Sequence, residues 1–271
     1  MLRTTTIRTL MRSLYFFLFQ FSAQTVFSHS KLVGFSRIHP NQKLKSKLDS
    51  SFSLCFGLLS FPLSAEIVRM EGTVFTPSLE GMKHVKAEDG KMLTKPFLDV
   101  CKFILPVIDK FGAAMMLVKT DIGGNISRLE AKYLSNPVEF NHLYDMVQAE
   151  VQDKTAKGSS SCTNGLLWLT RAMDFIVALF RNLLEHPDWT MSQACTDSYS
   201  KTLKQWHGWL ASSSFTVAMK LAPDRKKFMD VIAGGGDINT DIEKFCSTFA
   251  PFLEENHKFL ESVGMDNLKA S

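Results

Sequence analysis

Cysteine is sparse and poorly spaced for any framework: Cys55, Cys101, Cys162, Cys195 and Cys246 make five, an odd number, with no C-x-x-C pair. That excludes a zinc ribbon and argues against a disulfide scaffold, and thiols so placed suit a reducing compartment such as the cytosol. Catalytic signatures are missing as well. There is no G-x-S-x-G elbow, no phosphate-binding loop, no H-E-x-x-H and no G-x-G-x-x-G. The seven histidines are scattered without metal-ligand spacing. We therefore expect no catalytic residue, no metal and no cofactor. The glycine run before Asp237 has no strand in front of it and reads as a loop. No apolar stretch reaches the ~18 uninterrupted residues of a membrane span.

Acid is lacking at one end only. Residues 1–69 carry nine Lys/Arg but only two acids, Asp49 and Glu66, a net +7. That leaves 22 basic and 25 acidic groups in residues 70–271, a net −3. The larger part has no basic footprint for nucleic acid. The first 69 residues are set apart as an extension outside the fold. Residues 13–24 could be a signal-peptide core, and the Arg- and Ser-rich, acid-poor composition also suits a transit peptide. The third reading is favoured: "SFSLCFGLLSFPLS" is the Ser/Phe/Leu/Pro mixture of a pyrimidine-rich leader read through, with Met70 the start of the working domain. Against secretion stands Asn125-Ile126-Ser127, a glycosylation acceptor inside the best candidate site.

What is present is helical periodicity. Thr94 is expected to cap a helix running to Gly112, and residues 120–134 give a second. A third opens at Asn136-Pro137 and fades by Lys154. Thr163 is expected to cap a long apolar helix to Glu185, broken at "EHPDW". A single helix is expected over 192–220, another from Pro223 to the glycine run, and a last from Ile238 to Val263. Wide apolar faces on long helices, without a β-hairpin signal, predict an all-α layered bundle.

Three segments carry candidate chemistry. In "DIGGNISRLEAKYL", Asp121, Asn125 and Arg128 fall at i, i+4 and i+7 and share one face. Alone, such a set is usually a solvated face. Gly123 and Gly124 argue otherwise, since two helical glycines cost ~2 kcal/mol against alanine and imply close approach of a backbone or a ligand. In "NGLLWLTRAMDFIVALF", Trp168 reads either as core or as a flat plate for a sugar ring. In "KTLKQWHGWLASSSFTVAMKLAP", His207 reads as a core histidine sharing a face with Leu203 and Ala211. Trp209 then points roughly 200° around the helix, outward, as a membrane-interface anchor.

Taken together, "DIGGNISR", "LLWLTRAMDF" and "WHGWLASSSF", in that order, resemble the glycolipid transfer protein family, and "MEGTVFTPSLEGMKHVK" looks like the start of a plant member. The resemblance runs from about Met70 to the C-terminus. It implies a two-layer helical sandwich enclosing a hydrophobic lipid tunnel, and a monomer that docks transiently at membranes. Asp121 would bind sugar hydroxyls and the ceramide amide N–H, Asn125 would bind sugar hydroxyls, and Trp168 would lie under the sugar. His207 would donate to the amide carbonyl. Arg128 stands where members often have Lys, exchanging a point donor for a planar fork. Phe175, Leu203, Phe215 and Met219 would line the tail tunnel. The implied ligand is a glycosphingolipid, glucosylceramide in particular, carried without chemical change.

Two alternatives stay open. The phosphate-headgroup branch moves ceramide-1-phosphate, but has cations where Asn125 and Trp168 stand here; a sensor or scaffold would need the same pocket. The chain also departs from animal members. "VGMDNLKAS" has no tyrosine near the C-terminus, and "LPVIDKFG" lacks their Phe-Phe tether.

Overall fold

The computed structural model describes residues 72–269; the readings made for residues 1–69 lie outside them. The described chain forms α1 (Thr76–Met82), α2 (Thr94–Asp109), a 3-10 turn (Gly112–Met115), α3 (Met116–Ser135), α4 (Asp145–Gln152), α5 (Cys162–Glu185), α6 (Met191–Lys201), α7 (Trp209–Met219), α8 (Arg225–Ala233) and α9 (Ile238–Ser262). The only β-type pairings among these residues are two isolated bridges, Lys86 with Met92 and Leu93 with His142. The all-α expectation holds. No described helix is long and apolar enough to cross a membrane.

α5 is the hub because its sequence is apolar on nearly every side. Leu166, Leu167, Leu169, Met173, Phe175, Ile176, Leu179 and Phe180 are all buried, which only a helix enclosed by others can satisfy. It packs against α3, α9, α6 and α4, while α2 lies against α3 and α1, and α1 reaches α9, closing a ring around one core. Phe75, Phe180 and Phe245 meet at its centre, Phe75 edge-on to Phe180 at 4.9 Å.

Some helix starts are set by side-chain oxygens, not always those expected. Ser161, not Thr163, caps α5, its hydroxyl accepting from Asn164 N at 3.0 Å. Thr163 is already inside the helix, and its N–H and hydroxyl both donate to Glu150, at 2.8 and 2.7 Å. That carboxylate also takes Cys162 N, so an acid from α4 sits on the positive end of α5. Leu93 stands at the cap position of α2, and Thr94, one residue in, donates to Phe140 O at 2.6 Å. The segment after Asn136-Pro137 is a turn, and its helix is confined to Asp145–Gln152.

The expected single helix over 192–220 is two. Thr202 turns its hydroxyl back onto Ser198 O, Lys204 N reaches Tyr199 O, and Gly208, at φ −69° and ψ 170°, is extended and begins α7. A hydroxyl competing for the backbone and a glycine free of helical preference explain the break. His207 therefore sits in a turn and not on a helical face with Leu203 and Ala211.

Candidate functional site

α3 brings Asp121, Asn125 and Arg128 to one face. Asn125 is only 5% exposed, and its amide Nδ2 makes no hydrogen bond within 3.5 Å among the described residues, although the side chain is near enough to Asp121 to pull on that carboxyl. An orphaned buried donor costs about 1–3 kcal/mol, so it calls for an explanation. Asp121, one turn before, opens to solvent, yet the protein packed around it pushes its carboxyl up to about 6 against the opposing pull of Arg128 and Asn125. A Cβ built on Gly123 or Gly124 meets nothing within 4 Å among the described residues. No neighbouring backbone approaches there, and that half of the sequence expectation is corrected: the glycines bare the helix to open space.

Arg128 turns to structural work. Its Nη1 donates to Ser159 O and Ser161 O, both at 3.2 Å, tying α3 to the loop that starts α5. Gly165 makes this possible, since a Cβ there would stand 3.2 Å from Arg128 Cδ. One turn of α5 further on is Trp168, half-buried, with its indole stacked on the His207 imidazole at 5.6 Å between centroids and 20° between planes. The break between α6 and α7 is what delivers His207 to this position. Burial, helped by Arg171, holds the imidazole below its ordinary pKa, so it is neutral at pH 7. The Tyr199 hydroxyl lies 3.1 Å from its Nδ1.

Phe175, Leu203 and Met219 are buried and Phe215 partly so, with Phe175 edge-on to Phe215 at 5.6 Å. These apolar groups continue from the polar cluster into the core. Trp209, at the first turn of α7, is 80% exposed beside an exposed Leu210.

Sequence reasoning missed Arg171. It is 2% exposed, and its guanidinium lies 3.7 Å over Trp206 and 5.0 Å over Trp168. It donates to the backbone carbonyls of Leu268 and Asp266, holding the C-terminal segment beside the site. The signal was available: a lone cation three residues after Trp168 in an otherwise apolar run demands buried partners. Tyr199 was missed as well, because no local pattern links it to His207 across the turn.

Among the described residues no group of His, Cys, Asp and Glu is placed to hold a metal ion. A carboxylate, an orphaned amide and a stacked aromatic pair at the edge of an apolar interior define a class: an all-helical binding protein for an amphipathic molecule. Residues 92–234 match the family model "Glycolipid transfer protein". Glycolipid transfer protein 1 of Arabidopsis thaliana is 73% identical over 202 residues, 74% of this chain and all of that one. Human pleckstrin homology domain-containing family A member 8 is 31% identical over 183 residues, 65% of this chain and 35% of that one. Among solved structures, one showing how FAPP2 selects simple glycosphingolipids with the GLTP fold superposes with a TM-score of 0.67 at 26% identity, covering 73% of this chain and all of that one. Human ceramide-1-phosphate transfer protein bound to 12:0 ceramide-1-phosphate shares the fold at 19% identity and TM-score 0.63, covering 70% and 97%. The chain belongs to the glycolipid transfer protein family.

Proposed function

We propose that this protein binds one glycosylceramide, glucosylceramide in particular, and carries it between membranes without changing it chemically. The observation that carries the reading is the buried Asn125 amide, without a hydrogen-bond partner within 3.5 Å among the described residues, on the same helix face as Asp121. Sugar hydroxyls are both donors and acceptors and would satisfy that amide. Asp121 would accept from hydroxyls and from the ceramide N–H, charge-assisted bonds being the stronger ones. Trp168 would lie under the sugar and His207 would donate to the amide carbonyl. Phe175, Leu203, Phe215 and Met219 would line the path of the hydrocarbon tails.

The cations support sugar over phosphate. Arg128 spends Nη1 on loop carbonyls, and Arg171 is buried on the C-terminal segment. Arg171 is thus withdrawn and Arg128 partly engaged, and the neutral Asn125 and Trp168 add no further charge of the kind a phosphate needs.

The tails set the energetic problem. Each CH₂ leaving a membrane forfeits ~0.8 kcal/mol, so a two-chain lipid of about thirty such groups is held by more than ~20 kcal/mol. Only an apolar interior reached from the membrane surface can offset that. Trp209 and Leu210 form the docking edge, which suits a net-acidic domain better than a basic patch would. The working unit is residues 70–271, acting as a cytosolic monomer that touches membranes transiently. It requires no catalysis and no nucleic acid.

Vesicle-to-vesicle transfer of fluorescent glucosylceramide, by the full chain and by the 70–271 fragment, tests this. Transfer should be fast and should collapse in Asp121→Val and Trp168→Ala. Failure of both proteins to transfer, or undiminished transfer by both variants, overturns it. Preference for ceramide-1-phosphate would move the protein to the other branch.

A further inference from the structure

His207 makes one hydrogen bond among the described residues, from Nδ1 to the Tyr199 hydroxyl at 3.1 Å. That hydroxyl also meets Ser212 Oγ at 3.1 Å. Tyr199 is buried, and its ring is fixed by stacking on Phe215 at 3.9 Å and 12°. The phenol oxygen thus has two partners and a single proton to give. If it donates to Ser212, Nδ1 must carry the imidazole proton and Nε2 becomes an acceptor. If it donates to Nδ1, Ser212 donates to the phenol and Nε2 carries the proton.

The second arrangement places the most acidic hydroxyl on the most basic acceptor. A phenol is a far better donor than an alcohol, and an imidazole nitrogen a far better acceptor than a hydroxyl. Ser212 Oγ has no other partner among the described residues and can turn to donate. Every proton in the chain then points one way, from α7 through α6 to the imidazole and out at Nε2.

We infer that Tyr199 is a positioning residue for lipid binding: its hydroxyl, supported by Ser212, locks His207 in the Nε2–H tautomer, so that the ring presents one outward donor to an amide carbonyl. This rests on the reading of His207 given above. Because the imidazole is neutral, it has one N–H only, and the tautomer decides whether it can donate at all. The same device serves many metal-bound histidines, where a partner on one ring nitrogen sets the state of the other. Here the outward nitrogen would meet a carbonyl. Specificity follows: a sphingolipid offers an N-acyl carbonyl beside an N–H for Asp121, whereas a diacylglycerol-based glycolipid has esters and no N–H.

Long-range ¹H–¹⁵N correlation spectra of the lipid-free full chain test this directly, with His207 assigned by its loss in His207→Gln. Wild type should show protonated Nε2 and bare Nδ1. Tyr199→Phe keeps the stack on Phe215 but should shift His207 to a tautomer mixture and weaken glucosylceramide binding about five-fold. Ser212→Ala should leave the tautomer as it is. A wild-type Nδ1–H tautomer overturns the inference, as does a signature unchanged in Tyr199→Phe. Unaltered lipid affinity in His207→Ala would instead overturn the amide role of His207, since the tautomer is read without lipid.

Discussion

Trp168 and His207 stack in an offset pair 5.6 Å apart although one lies mid-helix and the other in a turn, and Arg171 backs the indole from 5.0 Å. On the proposed reading, the plate for the sugar and the donor for the amide are thus already in contact before any ligand arrives. Trp168→Ala removes the plate and frees His207 together. It should lower glucosylceramide affinity by about ten-fold or more, as expected for an aromatic platform with a coupled hydrogen bond. Trp168→Phe should fall between. Titration with glucosylceramide-bearing vesicles checks this, and equal affinity of Ala and Trp would remove the plate from the site.

Asn125 separates stability from binding. Its Nδ2 is buried and partnerless, so near-isosteric Asn125→Leu removes a desolvated donor and should leave the lipid-free protein as stable as wild type, or up to about 2 kcal/mol more stable. Headgroup affinity should drop at the same time. Urea unfolding and lipid titration on one variant read both. A large loss of stability would show that the amide serves the fold.

Gly124 gives a companion test. With open space where its Cβ would stand, Gly124→Ala should stabilise α3 by about 1 kcal/mol. If a sugar occupies that space, the same methyl should reduce binding several-fold. Stabilisation with full affinity would move the ligand elsewhere.

The helices were legible because α5 and α9 carry apolar residues at helical spacing over many turns. The site on α3 was legible because Asp121, Asn125 and Arg128 lie on one helix, where spacing fixes the face. His207 lies against Trp168, but not by the geometry expected: a helix was expected through Thr202–Gly208, where the backbone breaks. Back-bonding by Thr202 and the extended Gly208 are decisions of a single residue each, below the resolution of periodicity. Arg128 kept its charge near Asp121, yet its carbonyl partners come from a loop that spacing cannot see.

Asp121 predicts opposite pH responses for fold and function. Its carboxyl, though its edge is open to solvent, is raised from 3.8 to about 6, chiefly by desolvation from the protein packed around it. The folded protein then holds this proton more tightly than the unfolded chain. Its effect on stability is most favourable below the ordinary carboxylate range, declines as pH rises toward 6, and is constant above. On the proposed reading Asp121 accepts in its charged form, so glucosylceramide affinity should be flat above pH 7 and fall about ten-fold between pH 7 and 5. Asp121→Asn should abolish the step, at lower affinity throughout. A wild-type profile unchanged down to pH 5 would exclude Asp121 as the acceptor.

His257 extends the argument to the C-terminal segment. Its Nε2 donates to Asp174 on α5 at 2.7 Å and its Nδ1 to Asp266 beyond α9 at 2.6 Å. The hydrogen bond to Asp174 is the larger cause and the bond to Asp266 adds to it, together raising the imidazole to about 9 against the opposing effect of burial. It is an imidazolium at pH 7, clamping together a core helix and the segment whose carbonyls Arg171 holds. A raised basic group gives its full stabilisation below 6.5, loses it progressively above, and has lost it once the pH passes about 9. His257→Gln should therefore cost about 1–3 kcal/mol near neutrality, the range for hydrogen bonds to charged groups, and the difference from wild type should shrink toward pH 10. Because Arg171 also lies over Trp168 and Trp206, loosening the segment should reach Trp168. Hydrogen exchange should quicken at 264–269 and, more weakly, around Trp168. A stability difference that grows with pH, or exchange unchanged in the segment, would show that the two carboxylates do not act through His257.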